Sequence, residues 1–199
     1  MAIRVENSIT AKQYDTLIPW SFYVADVDGA VLDLSGYTVK FHAWKDSTCP
    51  ATDLVAETAT GVTVQPTKTF TSDITTNIQS LYCVNHGLRV GMQLLLTTTT
   101  TLPTGLTLST RYFVQRINGH NFWLCKQQGG NAIAITDAGT GTHSFAILGH
   151  VQYQPQAADV DTVGAFRCEL KLYTGSDAKT IPGDNTGIVL KVVATQCDA

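Results

Sequence analysis

Glutamate is scarce in this chain of 199 residues: Glu6, Glu57 and Glu169 are the only three. The paired carboxylates that hydrolyse glycosides are therefore hard to assemble. Charge of either sign is sparse, at 15% of residues, so solubility leans on Thr, Ser, Gln and Asn. Lys and Arg number 13 against 16 Asp and Glu, a net charge of −3 with His neutral. That balance gives no basic footprint for nucleic acid. No run approaches the roughly 18 apolar residues of a membrane-spanning helix. The opening residues, Met1-Ala2-Ile3-Arg4-Val5-Glu6-Asn7, hold no apolar core of a secretory signal. Asn-x-Ser/Thr does not occur. The five cysteines, Cys49, Cys83, Cys125, Cys168 and Cys197, are odd in number and follow no framework spacing. Reduced thiols in a reducing compartment are the expectation. No Gly-x-Ser-x-Gly elbow is present, and Gly139-x-Gly141 does not continue as a phosphate cradle.

What the chain has is alternation. Ile18, Trp20, Phe22 and Val24 fall on one face of an extended run, as do Tyr37, Val39, Phe41 and Ala43. Phe166, Cys168, Leu170 and Leu172 oppose Arg167, Glu169 and Lys171, and Ile188, Leu190 and Val192 form another stripe. Every second side chain of a strand shares a face, so each run buries one side. Asp28-Gly29 and Ser35-Gly36 supply turns between the first runs. No window carries a 3.6-residue period; one helical turn is expected near Gln156–Asp161. The fold class is all-β.

The texture changes between about Thr71 and Phe145, where acidic residues nearly vanish and Thr and Gly abound. Thr97-Thr98-Thr99-Thr100-Thr101 reads as a strand running into a loop. Leu102-Pro103-Thr104-Gly105-Leu106 is a turn. Asn118-Gly119 between Tyr112–Ile117 and Phe122–Cys125 is the strongest hairpin signal in the chain. We read 71–145 as an inserted β module, and 1–70 with 146–199 as a discontinuous β-sandwich around it. Insertion at a surface loop costs little when the loop ends lie close together.

Several constellations bear on chemistry. Cys83-x-x-His86 with His120-x4-Cys125 offers two thiols and two imidazoles, the ligand types of zinc. The spacing is only half right for a zinc site, and a cysteine in an apolar strand ordinarily behaves as a small hydrophobe. Asp26, Asp28 and Asp33 cluster, but without the spacing of a calcium loop. His143 and Ser144 lie near Asp137, yet adjacent strand residues point to opposite faces and cannot serve one another. Glu169 sits on the polar side of its strand, where a solvated or ion-paired carboxylate is ordinary. The expectation is no enzyme, no metal and no cofactor. Trp20 belongs to the core stripe. Trp44 and Trp123 oppose apolar neighbours, which places them at the surface or an interface.

Two stretches carry a resemblance. Asn85-His86-Gly87-Leu88, Leu102-Pro103-Thr104-Gly105-Leu106, Tyr112-Phe113-Val114, Phe122-Trp123-Leu124 and Ala138-Gly139-Thr140-Gly141-Thr142-His143 follow in an order that resembles a small β module inserted in many phage tail and virion proteins. The flanks are similar to the N-terminal domain of phage upper-baseplate proteins. They match through Asp15-Thr16-Leu17-Ile18-Pro19-Trp20, through the run from Asp26 to Phe41, and through the run from Val163 to Leu170. That likeness implies an immunoglobulin-like sandwich that anchors parts to a particle.

The resemblance implies a structural virion protein of a tailed phage, assembled in the host cytoplasm through protein–protein interfaces in the tail, baseplate or neck. Its partners would be other virion proteins and further copies of itself, with neither nucleic acid nor membrane. A capsid decoration protein and a module that binds a host-surface glycan or receptor are the alternatives. Exposure patterns single out Arg4, Trp44, Trp123 and Tyr173 as candidate interface residues.

Overall fold

In the computed structural model of the protein, the alternating runs become strands. Residues 3–5, 9–12, 16–26, 30–45, 53–74, 80–181 and 188–193 are described here. They form β1 (Ile3–Val5), β2 (Ile9–Lys12), β3 (Trp20–Asp26), β4 (Thr38–Lys45), β5 (Asp53–Thr58) and β6 (Val62–Val64). Next come β7 (Thr67–Asp73), β8 (Ser80–Tyr82), β9 (Gln93–Thr98), β10 (Arg111–Asn118), β11 (Asn121–Cys125) and β12 (His143–Ile147). The chain ends with β13 (His150–Tyr153), β14 (Gly164–Thr174), β15 (Asp177–Ile181) and β16 (Ile188–Val193). The helical turn expected after residue 156 is a single 3-10 turn, Ala157–Val160. No helix among the described residues is long and apolar enough to cross a membrane.

The chain divides into two compact units, Met1–Gln65 with Gly149–Ala199, and Pro66–Leu148. The first is a β-sandwich. One sheet has the order β1-β3-β13-β6; the other runs β2-β16-β14-β4-β5, with β15 folded back on β14. All pairings in the unit are antiparallel except β16 with β2. The core lies between the sheets. Trp20, Phe22 and Val24 of β3 and Tyr153 of β13 meet Phe41 of β4 and Phe166, Cys168 and Leu170 of β14. All of these but Tyr153 are residues that the period-2 pattern placed on buried faces. Ile18 is the exception. It is 67% exposed and precedes the strand. Pro19 has no N–H to give to a ladder and ends the extended run before Trp20.

The second unit is a closed barrel with the strand order β10-β11-β8-β7-β12-β9. Closure leaves no strand at a sheet edge. Phe70, Phe122 and Phe145 meet in its interior, with ring centroids 5.5 to 6.4 Å apart. The β10–β11 hairpin turns on Gly119 (φ +60), the first of the two residues between the paired Asn118 and Asn121. That position takes positive φ in a II′ turn and suits glycine. The barrel begins at Pro66, ahead of the sequence boundary at 71, because the first half of β7 pairs with β12. Likewise the threonine run leaves its strand at Thr98.

Candidate interaction face of the sandwich

In β4 the side chains of Val39, Phe41 and Ala43 face the core, so Lys40, His42 and Trp44 face outward. In β14 the outward set is Arg167, Glu169, Lys171 and Tyr173. The antiparallel register sets Arg167 opposite Trp44, Glu169 opposite His42, Lys171 opposite Lys40 and Tyr173 opposite Thr38. Cross-strand neighbours on one face interact directly. One continuous strip of charged and aromatic side chains results, half-buried by its own members.

Glu57 of β5 organises one end of the strip. Its Oε2 lies 2.7 Å from Lys171 Nζ, its Oε1 lies 3.0 Å from Lys40 Nζ, and the Tyr173 hydroxyl donates to Oε1. The hydrogen bonds from Lys171, Tyr173 and Lys40 hold the Glu57 carboxyl down at about 2. Lys40 also lies 4.6 Å from the centroid of the Tyr173 ring. At the other end His42 Nδ1 is 3.1 Å from Glu169 Oε1, and the His42 ring stacks on Trp44 with centroids 5.1 Å apart. Lys171 links the two ends, since its Nζ is also 3.5 Å from Glu169. A carboxylate fixed in its ionised form by three donors holds structure; a general acid near neutrality needs the opposite shift.

Of the four candidate interface residues, Trp44 and Tyr173 belong to this strip. Arg4 lies in β1 opposite Ala25, and its side chain falls outside the described residues. Trp123 is a correction. Alternation placed it on an outer face, but it is 4% exposed. The Arg116 guanidinium lies 4.0 Å from the centroid of its ring. A bulge in β10 between Val114 and Arg116 brings Arg116 opposite Trp123, and the cation covers the indole where solvent was expected. Lys40, His42 and Glu57 were not singled out from the sequence. The alternation of Arg167, Glu169 and Lys171 was the available signal, but the register that pairs them with β4 is not written in either strand.

The remaining constellations are engaged in local structure. His86 accepts the Leu88 N–H at Nδ1 (2.9 Å), and its Nε2 donates to Gly119 C=O (3.1 Å). Both nitrogens of the neutral ring are thereby engaged, and burial pushes its pKa below the ordinary value. Cys125 Sγ lies 3.6 Å from Phe113 C=O, and the Asn85 N–H donates to His120 Nδ1. No group of three or more potential metal ligands converges among the described residues. His143 accepts from the Thr98 hydroxyl at Nδ1 (2.8 Å) and donates from Nε2 to Ala138 C=O (3.1 Å). Asp137 instead accepts from the Thr104 hydroxyl and from the N–H groups of Thr104 and Gly139, the latter two each at 2.9 Å, and these bonds, the hydroxyl first, hold its carboxyl below its usual range. His143 and Asp137 are thus committed separately. Asp33 accepts the Ser35 N–H at 2.9 Å; Asp28 and the Asp26 side chain fall outside the described residues. No family model, curated protein or solved structure matches this chain.

Proposed function

We propose that the chain is a non-enzymatic structural virion protein of a tailed phage, working in the tail, baseplate or neck. It joins other virion proteins and copies of itself, and the outer face of β4 and β14 is the contact surface. The ordered motifs from Asn85 to His143 and the two flanking stretches support the phage setting. The observation that carries the contact surface is the strip itself. Trp44 stacks on His42, and Arg167 lies opposite Trp44 in the register. Tryptophan, tyrosine and arginine are the residues most enriched where interfaces hold their energy.

The test is incorporation into particles. Particles purified from an infected culture are probed with an antibody to this chain and imaged to find its position. A Trp44→Ala, Arg167→Glu variant is expected to fold, to keep its melting temperature within a few degrees and to enter particles about tenfold less well. Absence of the wild-type chain from purified particles would sink the proposal. A label over the head lattice would move the role to capsid decoration.

A further inference from the structure

Charge is divided unevenly between the two units. Between Pro66 and Leu148 stand five Lys and Arg and two Asp, a net charge of +3 with His neutral. The rest of the chain holds eight of the 13 Lys and Arg and 14 of the 16 Asp and Glu, a net charge of −6. A basic barrel and an acidic sandwich are averaged into the chain's total of −3.

Four of the barrel's cations gather on one wall. Tyr112 and Val114 of β10 point inward, so Arg111 and the half-buried Phe113 face out. The bulge after Val114 brings Arg116 to the same outer side, opposite Trp123. Five residues of chain separate the two arginines, so their Cα atoms lie at most about 18 Å apart. Lys126 flanks β10 on one side, directly after Cys125, the partner of Phe113. Arg89 flanks it on the other, in the turn whose Gly91 N–H donates to Val114 C=O at 2.8 Å. All four cations are exposed. None of them makes an ion pair among the described residues. The two carboxylates of the unit are engaged elsewhere. Asp73 lies on β7, three strands from β10 around the barrel, and accepts from Asn121 Nδ2 at 3.3 Å. Asp137 is tied to Thr104 and Gly139.

A wall of cations with no carboxylate of its own selects an anionic partner. Single-stranded nucleic acid is held by cations beside open aromatic rings on which its bases stack. Here Arg116 covers Trp123 and Phe113 is half-buried, so the wall offers no such platform. Carboxylates need only the charge and the N–H donors that arginine presents. The excess of carboxylates lies in this chain's own sandwich unit. We propose that the β10 wall of one copy docks on the acidic sandwich unit of a second copy. The strip of β4 and β14 is a separate surface, because Lys40, Arg167 and Lys171 offset Glu57 and Glu169 there. Wall against wall would set like charges face to face. The contact is therefore head to tail, and its repetition gives a ring or an open stack. The inference rests on the division of charge and not on the particle role.

The test follows the purified full chain by sedimentation at about 0.01 M and about 1 M salt, between which the Debye length falls from about 30 Å to about 3 Å. Assemblies are expected at low salt and monomer at high salt. Arg111→Glu with Lys126→Glu alters two exposed side chains and is expected to weaken association about tenfold or more. Added to wild type, this variant still offers its sandwich but no wall, so it should cap and shorten the assemblies. In a mixture of isotopically light and heavy wild-type copies, carbodiimide coupling is expected to join Lys126 of one copy to Asp or Glu outside residues 66–148 of the other; this readout needs no variant to fold. A monomer at both salt concentrations overturns the proposal. So do couplings confined to single copies, or a variant that assembles like wild type. A chain that stays monomeric and binds a single-stranded oligonucleotide through the wall would also overturn it and reassign the wall to a polyanion.

Discussion

Tyr153 donates its hydroxyl to Asp159 Oδ2 at 2.6 Å from within the sandwich core, where its ring stacks on Phe41 with centroids 4.2 Å apart. The same oxygen accepts the Gln156 N–H at 2.6 Å, so one buried carboxylate ties β13 to the 3-10 turn that follows it. Burial and the carboxylate both push the Tyr153 hydroxyl pKa upward. Tyr153→Phe keeps the stacked ring and removes one donor from a buried acceptor. The expected cost is about 1–3 kcal/mol in urea unfolding, with the denaturant slope unchanged. Asp159→Asn is expected to cost less, because a single amide oxygen can still accept from both donors. Equal stability of Tyr153→Phe and wild type would remove this link from the account.

The Glu57 cluster predicts an acid limb. Its folded pKa, about 2, lies below the ordinary 4.5. The unfolded chain therefore binds a proton first as pH falls, and the contribution to stability is present above about pH 4.5 and lost toward pH 2. Glu57→Gln is expected to lower stability by about 1 kcal/mol near neutral pH, a modest value because the side chains are partly solvated. Thermal melts of both proteins should converge as pH approaches 2, the folded-state value. A gap between them that is constant with pH would show that the carboxylate charge is not what stabilises the cluster.

The sandwich was legible where strands are amphipathic. Phe22, Phe41 and Leu170 occupy the core because alternation put them on one face of each run. The Asn118-Gly119 turn was legible because its chemistry is local. Barrel closure was not, since it depends on β10 meeting both β9 and β11 while β12 meets both β7 and β9. Such pairings are set by register between distant segments. Trp123 failed for the same reason, because a bulge in the partner strand, and not its own neighbours, decided what covered it. The Glu57 cluster draws on three strands, and of its parts only Lys171 and Tyr173 share a stretch of sequence.

Glycine at position 139 is predicted to be irreplaceable, unlike glycine at 119. Both have positive φ, +63 and +60. A Cβ on Gly139 would lie 2.5 Å from Thr101 C=O, 2.6 Å from Pro103 N and 2.8 Å from the Leu102 carbonyl carbon. These are backbone atoms of a neighbouring segment, held by the mutual Thr101 and Thr140 hydrogen bonds at 2.8 and 3.1 Å. A Cβ on Gly119 meets nothing within 4 Å. Gly119→Ala should cost about 1 kcal/mol, the strain of the left-handed conformation alone. Gly139→Ala should cost several-fold more, or prevent the barrel from folding, because strain and overlap add. Chemical denaturation of the pair decides it; equal losses would mean that the 138–142 segment moves away freely.

Buried thiols give a separate readout for each unit. Cys168 is fully buried in the sandwich, where desolvation and the neighbouring Glu169 push its thiol up to about 12. Cys125 is fully buried in the barrel, and burial also raises the thiol of Cys83. A disulfide reagent attacks the thiolate, so burial denies it access to Cys125, and at Cys168 suppressed ionisation adds to that protection. In a Cys49→Ser, Cys197→Ser background, neither Cys168 nor Cys125 should react with an aromatic disulfide at about pH 8 until its own unit opens. Raising the denaturant stepwise and mapping the labelled cysteine by mass spectrometry then orders the two openings. Gly139→Ala should advance labelling of Cys125 and leave that of Cys168 in place, while Tyr153→Phe should do the reverse. Labelling of Cys168 within mixing time in native buffer would contradict its place between the two sheets.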